Sequence, residues 1–221
     1  MEELLVSVLK PAIGWNVSHQ EFTIEDHYYF SDLKSTIIEN GGSVSEVASL
    51  NDIFDYDVLV LNYPEKPFSG GDVGLIGEYL KTGKRVVVCG YYANEDRVAE
   101  RVNTLVEGFG LRINRDCVKD SLSNDEGDAL LVVTSRVLSF NGGVDRVLFP
   151  CSASIDLISP HATPLMIAEE GAGKAGEEKL LGARVQVDGG SVILLGTCVF
   201  WDNSAIKRYD NRAFSLNLLL G

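Results

Sequence analysis

The stretch that decides the fold is Asp72–Val118, which reads DVGLIGEYLKTG (72–83), KRVVVCG (84–90) and YYANEDRVAERVNTLVEGFGLRINRDCV (91–118). Apolar residues recur at helical spacing over 73–80, and Gly83 stands where a left-handed residue ends a helix. The run Val86–Val88 is β-branched and apolar on both faces, which is typical of a strand covered by helices. This order of helix, glycine and strand predicts the repeating unit of a parallel α/β sheet.

The second part of the same stretch predicts another helix and another strand. Asn94 is placed to cap a helix whose first turn is acidic, as the positive end of a helix dipole favours. Gly110 is placed to end that helix. The segment from Leu111 to Val118 is then predicted to be the next strand of the sheet.

Residues on either side of this stretch continue the pattern at first and then depart from it. The predicted strands before it are 4–9, 43–47 and 56–62, the predicted helix is 26–40, and the predicted loops are 11–20 and 63–71. After about residue 117 short strands prevail, at 129–133, 146–149, 153–157, 164–168 and 181–187, with an acidic exposed loop at 121–128. The strand 191–199 returns to the main sheet and the helix 210–220 closes the chain. These segments predict one domain, 1–221, with a β-rich insertion at about 119–188.

Composition narrows the classes of partner. The 221 residues carry a net charge of −13, so the basic footprint that nucleic acid or anionic lipid requires is absent. The four cysteines are widely spaced with no CxxC, which predicts no metal site and fits a reducing cytoplasm. No apolar run reaches the ~18 residues of a membrane-spanning helix. We therefore expect a cytoplasmic protein without membrane insertion, nucleic acid or cofactor.

Three segments, in order, resemble one family. Val102–Val118 is similar to the pattern N-x-L-L-x-x-F/Y-G-I-x-x-N-x-D-x-V of GIFT-type domains, Gly189–Asn203 to G-G-R-V-V-V-x-G-D-x-x-F-x-x-N, and Asn211–Leu219 to N-x-x-F-x-x-N-L-L. Such domains occur in an intraflagellar-transport subunit, in auxiliary proteins of gliding-motility ABC transporters and in uncharacterised prokaryotic proteins. The resemblance implies a class I glutamine amidotransferase-like fold, which is a flavodoxin-like doubly wound parallel sheet. It also implies a non-catalytic binding or assembly role.

The expected position of a site follows from the sheet. Ligands of open parallel sheets bind at the carboxyl ends of the strands, and this rule nominates the loops 10–15, 62–66, 89–94 and 197–203. The residues they bring to one rim are Trp15, Asn62, Tyr63, Cys89, Tyr91, Tyr92, Asn94, Trp201, Asp202 and Asn203. Aromatic, amide and carboxylate groups together suit a small polar ligand such as a sugar or a peptide. The alternative is that the aromatic residues only cover the top of the core.

Cys89 is the candidate nucleophile of an enzymatic alternative. It ends a predicted strand before a helix, where amidotransferases of this fold place their cysteine and where a helix N-terminus lowers a thiol pKa. However, Val87–Tyr91 lacks both glycines of the family's Gly-x-Cys-x-Gly elbow, and no His-x-Glu pair occurs late in the chain. A nucleophilic cysteine also needs a base. The base would be an unrecognised partner, such as His19 or His161.

Three hypotheses therefore remain open from the sequence. The preferred one is a non-catalytic amidotransferase-like module that binds a small polar ligand or a protein partner. The second is a thiol-dependent hydrolase or amidotransferase-like enzyme with Cys89 as nucleophile. The third is a scaffold component of a transporter-associated complex. Each of the three is compatible with a homo-oligomer.

Overall fold

The computed structural model describes residues 11–173 and 177–221, which form a mixed α/β structure around a seven-stranded sheet. Its α-helices are α1 (His27–Glu39), α2 (Gly70–Lys81), α3 (Val98–Val106) and α4 (Asn211–Leu220). Its strands are β1 (Ala12–Asn16), β2 (Ser43–Val47), β3 (Val58–Asn62), β4 (Arg85–Cys89), β5 (Leu111–Ile113), β6 (Asn124–Asp125), β7 (Asp128–Thr134), β8 (Val147–Pro150), β9 (Ile155–Leu157), β10 (Ala162–Ile167), β11 (Leu180–Val187) and β12 (Gly190–Leu195). The strand predicted at 4–9 lies outside the described residues.

The main sheet has the order β10-β11-β12-β4-β3-β1-β2. Strands β2, β1, β3, β4 and β12 are parallel, while β11 pairs antiparallel with both β10 and β12. The register sets Asn62 and Leu195 on either side of Cys89, so β3, β4 and β12 end at one level. We term this level, with Asn16 at the end of β1, the carboxyl edge of the sheet.

The prediction of parallel strands alternating with helices is confirmed for this part of the chain. Strand β3 is buried along its whole length, and β4 is buried from Val86 onward, as expected for apolar runs covered on both faces. Asp26 caps helix α1, because its side chain accepts hydrogen bonds from Tyr28 N and Tyr29 N. Helix α2 begins with a capping box between Ser69 and Asp72.

The predicted loop 11–20 is wrong, because it contains β1. Gly14 makes the strand hard to recognise in the sequence, because glycine is rare within strands. In the structure, both Gly14 and Trp15 are required by the packing around β1. A Cβ at residue 14 would lie 2.8 Å from the Tyr56 ring, so the close packing there requires glycine. Trp15 is fully buried. The loop that leaves the carboxyl edge after this strand is therefore 17–25.

The predicted place of the strand after Gly110 is also wrong. Gly110 does end the preceding helical segment, with a left-handed φ of 88°. However, β5 pairs antiparallel with β9 in a separate two-stranded sheet. Both sides of β4 are already occupied by β3 and β12, so no position beside it is left for β5.

Helix α3 begins later than the sequence predicts. Ala93, Asn94, Asp96 and Arg97 have left-handed φ values between 48° and 61°, so the helix starts only at Val98. Asn94 still satisfies the helix from outside, because its Oδ1 accepts a hydrogen bond from the N–H of Glu100 at 3.1 Å. Asn94 therefore caps α3 as predicted, although it lies four residues before Val98, the first residue of the helix.

The predicted β-rich segment 119–188 contains β6 to β11. Strands β6, β7 and β8 form a three-stranded sheet, whereas β10 and β11 extend the main sheet. Within the predicted exposed loop 121–128, β6 pairs with β7, and Asp125 forms an ion pair with Arg208. Strand β11 is an inner strand and forms a hairpin with β12. The predicted return of the chain through β12 and the closing helix α4 are confirmed.

Candidate functional site

Two tryptophans of the predicted rim lie in the core. Trp15 and Trp201 are each 0% exposed, and their ring centroids are 5.4 Å apart. Trp15 Nε1 donates a hydrogen bond to the carbonyl of Phe22 at 2.7 Å, and Trp201 Nε1 donates to Asn62 Oδ1 at 3.2 Å. We term Trp15, Trp201 and Asn62 the buried layer. Both indole N–H groups are satisfied inside the protein, so neither is available to a ligand.

A cavity of about 330 Å³ opens at the carboxyl edge, where the loops after β1, β3, β4 and β12 meet the first turn of α1. We term it the rim cavity. The residues that line it are Phe22, Tyr29, Phe30, Tyr63, Tyr91, Cys198, Val199 and Asp202. Its volume lies within the range of roughly 300–1,000 Å³ that is usual for small-molecule sites.

One side of the rim cavity is a continuous row of rings. The ring centroid of Phe22 lies 5.6 Å from that of Tyr29 and 5.3 Å from that of Tyr63, and Tyr63 lies 5.5 Å from Tyr91. We term these four residues the aromatic wall. Phe22 is 37% exposed and Tyr29 is 39% exposed, in contrast to the buried layer. Part of the wall is therefore open to solvent.

Tyr63 and Tyr91 hold their rings by contacts outside the cavity. Tyr63 follows β3 with a left-handed φ of 62°, and its hydroxyl donates a hydrogen bond to Asp96 Oδ2 at 2.9 Å. Burial, and next the bond to Asp96, raises the pKa of Tyr63. Burial likewise raises the pKa of Tyr91. Both hydroxyls therefore stay protonated at neutral pH, and neither adds a charge to the cavity.

Asp202 is the charged residue of the lining. Its Oδ1 accepts hydrogen bonds from Ser204 N at 2.8 Å, Ser204 Oγ at 2.6 Å and Ala205 N at 3.2 Å. Burial raises the pKa of Asp202 above its usual range. No lysine, arginine or histidine within 11–173 and 177–221 forms an ion pair with it. The carboxylate therefore faces the cavity without a protein cation beside it.

The loop that carries Asp202 is fixed from below by Asn211. This fully buried side chain donates hydrogen bonds from Nδ2 to the carbonyls of Leu148, Phe200 and Ala205, and its Oδ1 accepts from Leu148 N. Every donor and acceptor of the amide thus has a partner. Because this buried network leaves the loop little freedom, the position of Asp202 is set before any ligand binds.

Cys89, the candidate nucleophile, is fully buried. Burial raises the pKa of its thiol well above the usual value, and the nearby Cys198 adds to that effect. Helix α3 begins only at Val98, so its N-terminus does not follow Cys89 directly. In the described part of the chain no histidine forms a hydrogen bond with Cys89.

The two histidines considered as bases lie elsewhere. His19 Nδ1 is 2.9 Å from Ser18 Oγ, its Nε2 is 3.6 Å from Asp72 Oδ2, and its ring stacks on Phe68 with a centroid distance of 4.2 Å. It lines a second cavity, of about 550 Å³, and burial lowers its pKa. His161 is exposed, and its backbone N–H donates to Ser159 Oγ.

Three other residues of the predicted rim make contacts with the protein itself. Asn94 bonds to the start of α3, as described above. Asn203 Nδ2 donates to the carbonyls of His27 and Tyr28, and through these contacts ties the loop after β12 to the first turn of α1. The ring of Tyr92 packs against that of Tyr91, 4.8 Å between centroids. Asn203 thereby helps to place Tyr29 in the aromatic wall.

Several lining residues were missed by sequence reasoning. Phe22 lies in the loop 17–25, which was not nominated because β1 itself was assigned to a loop. Tyr29 lies in the first turn of α1, outside the four nominated loops, and its ring is partly open. A signal for Phe22 existed in the sequence: an aromatic residue shortly before the Asp26 cap of a helix, at the carboxyl end of a strand.

Comparison with other proteins shows the family. No family model matches the chain. The chain is 42% identical over 217 residues to an uncharacterized protein of Aquifex aeolicus (strain VF5), an alignment that covers 94% of this chain and 92% of that protein. At this identity and coverage, the chain belongs to the same family as the Aquifex aeolicus protein.

Solved structures show the fold. The mmIFT52 N-terminal domain is similar with a TM-score of 0.75 and 16% identity, covering 91% of this chain and 92% of that chain. A cytoplasmic protein from Salmonella typhimurium LT2 is similar with a TM-score of 0.59 and 12% identity, covering 94% and 98%. The fold is therefore of the GIFT type, as the resemblance implies.

Residues 11–173 and 177–221 also bear on membranes and metals. Each helix in these ranges is too short or too polar to cross a bilayer. In the same ranges, no group of three or more His, Cys, Asp or Glu side chains is arranged to hold a metal ion.

Proposed function

We propose that the chain is a non-catalytic, single-domain binding module of glutamine amidotransferase-like descent, whose rim cavity accepts a small polar ligand. The observation that carries the proposal is the partly open aromatic wall facing Asp202 at the carboxyl edge. This edge is where ligands of open parallel sheets bind. A sugar or a short peptide belongs to the size class that suits the cavity.

The strand order supports the proposed descent. The parallel strands β2-β1-β3-β4-β12 are, in their own chain order, 2-1-3-4-5. This is the order of flavodoxin-like doubly wound sheets. The burial of Cys89 and the distance of α3 from it support a role without covalent catalysis, because a thiol nucleophile needs access, a lowered pKa and a base.

A ligand screen tests the proposal. The full chain is titrated with sugars, amino acids, dipeptides and small amines while its thermal unfolding is followed, because a ligand that binds only the folded state raises the unfolding temperature. Calorimetry then measures the affinity of each hit. We expect at least one saturable ligand, whose binding is about thirtyfold weaker in Phe22→Ala/Tyr29→Ala, since each of the two aromatic contacts contributes roughly 1 kcal/mol.

The matched control is Tyr209→Ala. Tyr209 is 40% exposed, which matches the 39% of Tyr29, but it packs on Arg146 and does not line the rim cavity. Binding should be unchanged in this variant. The proposal fails when no compound binds saturably, or when every hit binds Phe22→Ala/Tyr29→Ala as tightly as the unaltered chain.

The thiol enzyme is the second candidate, and cysteine labelling separates it from the binding module. Cys117 and Cys151 are partly exposed, whereas Cys89 is buried. A non-catalytic module should therefore react with iodoacetamide at Cys117 and Cys151 first and at Cys89 last, as located by mass spectrometry. Rapid and selective labelling of Cys89 near neutral pH would instead favour the enzyme.

A protein partner, including a place in a transporter-associated complex, is the third candidate. Its support is the GIFT-type fold, since the resembling domains are regarded as binding or assembly modules. Repeated recovery of the same partner by the tagged full chain would support it, and a chain that elutes alone from its native extract would count against it. All four cysteines are free, which accords with the cytoplasmic location that we propose.

A further inference from the structure

The lining of the rim cavity is poor in groups that recognise a neutral polar ligand. Of its eight residues, only Asp202 carries a formal charge, and no amide, lysine, arginine or histidine is among them. The Tyr63 hydroxyl already donates its proton to Asp96. A sugar is held by several converging donors and acceptors. The cavity offers mainly ring surface and one carboxylate.

Among residues 11–173 and 177–221, Asp202 lacks the charged partner that a half-buried carboxylate normally has. Its hydrogen bonds all end on Oδ1, and no hydrogen bond from the described residues ends on Oδ2. Taking a charge out of water is costly unless an opposite charge or further hydrogen bonds compensate. A positively charged ligand would supply the missing compensation.

The surroundings of the cavity are negative as well. Asp96 accepts the hydrogen bond of Tyr63, and Glu95 acts electrostatically on Tyr63 and Tyr91. The whole chain carries a net charge of −13. A cleft with one sign of charge concentrates ligands of the opposite sign. The faces of aromatic rings also attract cations, most strongly where water is partly excluded.

We propose that the rim cavity binds a small organic cation of the alkylated ammonium class, held against the rings of Phe22, Tyr29 and Tyr63 and paired with Asp202. This inference rests on the proposed function and adds to it the chemical class of the ligand. An alkylated ammonium fits better than a primary amine, because its methyl groups need no hydrogen-bond acceptors and match the ring faces.

A pair of probes tests the charge directly. Choline and its uncharged carbon isostere 3,3-dimethyl-1-butanol have the same shape, so calorimetric titration of the full chain with each isolates the contribution of the positive charge. We expect choline to bind saturably and the isostere to bind about tenfold more weakly or not at all. Phe22→Leu and Tyr29→Leu keep apolar bulk but remove the ring, and each should weaken choline binding several-fold while leaving the isostere unaffected.

Asp202→Asn tests the ion pair. It keeps an oxygen acceptor for Ser204 and Ala205 but removes the charge, so choline binding should fall by about tenfold. The control is Asp188→Asn, which removes one negative charge at an exposed position of the β11–β12 turn, away from the cavity lining. Unchanged choline binding in that variant separates local pairing from the overall charge of the chain.

The outcomes distinguish the inference from the function on which it rests. Equal binding of choline and the isostere would overturn the inference, and so would binding of a sugar or dipeptide in the rim cavity without binding of choline. In both cases the binding module would stand. If neither choline nor any compound of the ligand screen binds, both proposals fail together.

Discussion

The buried layer and the aromatic wall meet at the carboxyl edge but differ in their exposure to solvent. The buried layer is closed, since both tryptophans are 0% exposed and their N–H groups bond to Phe22 O and Asn62 Oδ1. The aromatic wall is partly open and shares the rim cavity with Asp202, whose carboxylate forms no ion pair in the part of the chain that the structure describes. The two groups touch through the bond from Trp15 to the backbone of Phe22. The carboxyl edge of the sheet thus carries two kinds of surface: the buried layer belongs to the core, and the aromatic wall is the surface on which we propose that a ligand binds.

This difference in exposure and hydrogen bonding indicates which aromatic residues belong to the core and which belong to the candidate site. An aromatic residue whose polar atom is satisfied inside the protein and whose ring is enclosed contributes to folding, and its loss should be costly. An aromatic residue that is left partly exposed contributes less to stability. If the comparison is correct, replacing a buried tryptophan should lower the free energy of unfolding much more than replacing a partly exposed residue of the aromatic wall.

The largest effect is expected for Trp201→Ala. Removing a fully buried tryptophan typically costs about 3–5 kcal/mol, because burial is lost and a cavity remains. Urea denaturation monitored by circular dichroism measures this loss of unfolding free energy. The matched variant is Phe22→Ala, in the aromatic wall, which should cost clearly less. A larger loss for Phe22→Ala than for Trp201→Ala would reverse the comparison.

A pH-dependent effect of similar size is expected from the loop that joins the two groups. Glu21, next to Phe22, is 7% exposed, and burial raises its pKa from 4.5 to about 7, against the opposing effect of its hydrogen bond from Asn16. A raised pKa means that the folded state binds the proton more tightly. The stabilisation that comes from protonated Glu21 is therefore complete below pH 4.5 and is lost as the pH rises through about 7. The total loss is about 3 kcal/mol.

Glu21→Gln isolates this contribution. Glutamine has the same size as glutamate but does not titrate. The difference in unfolding free energy between the unaltered chain and the variant should therefore change by about 3 kcal/mol between pH 4 and pH 8. His19 has a lowered pKa and contributes a slope of opposite sign below pH 6.5, but it is present in both proteins and cancels. A constant difference over this range would show that Glu21 does not titrate as described.

A smaller effect is expected for Asn62→Ala. The substitution leaves Trp201 Nε1 buried without an acceptor, which typically costs about 1–3 kcal/mol. Because Asn62 Nδ2 already lacks a partner among the described residues, removing the amide offsets part of that cost, and we expect about 1–2 kcal/mol. In a Trp201→Phe background the indole N–H is absent, so Asn62→Ala leaves no buried donor without an acceptor. The loss of unfolding free energy should therefore be smaller in that background. Equal costs in both backgrounds would mean that the bond contributes nothing.

Much of the fold follows from the sequence where the pattern is local. The β-branched run of β4 and the glycine at 110 each act through their immediate neighbours, and each predicted its element. The errors arose where distant contacts decide. Strand β1 depends on Tyr56 packing over Gly14, and β5 is excluded from the main sheet because β12 arrives from far along the chain.

The candidate site was harder to predict for the same reason. The rule of strand ends located the edge, and Tyr63, Tyr91 and Asp202 line its cavity. Which aromatic residues remain open, however, depends on the exact end of each strand. Because β1 lies within the predicted loop 11–20, the loop that carries Phe22 was not nominated. The left-handed segment around Asn94, which separates α3 from Cys89, contains no glycine that would have predicted it.

The smallest effect, and one of opposite sign, is expected for Asp202→Asn. Burial raises the pKa of Asp202, so ionisation of its carboxylate weakens folding as the pH rises from the usual carboxyl pKa through the folded pKa. An amide keeps the acceptor for Ser204 and Ala205 and removes that penalty, so stability at pH 8 should rise slightly, by about 0.5 kcal/mol, and the gain should vanish in acid. Asp210→Asn is the control of opposite sign, because hydrogen bonds from Arg146 N and Asp145 N lower the pKa of Asp210. Destabilisation by Asp202→Asn at pH 8 would contradict the view that this residue is kept for a ligand and not for the fold.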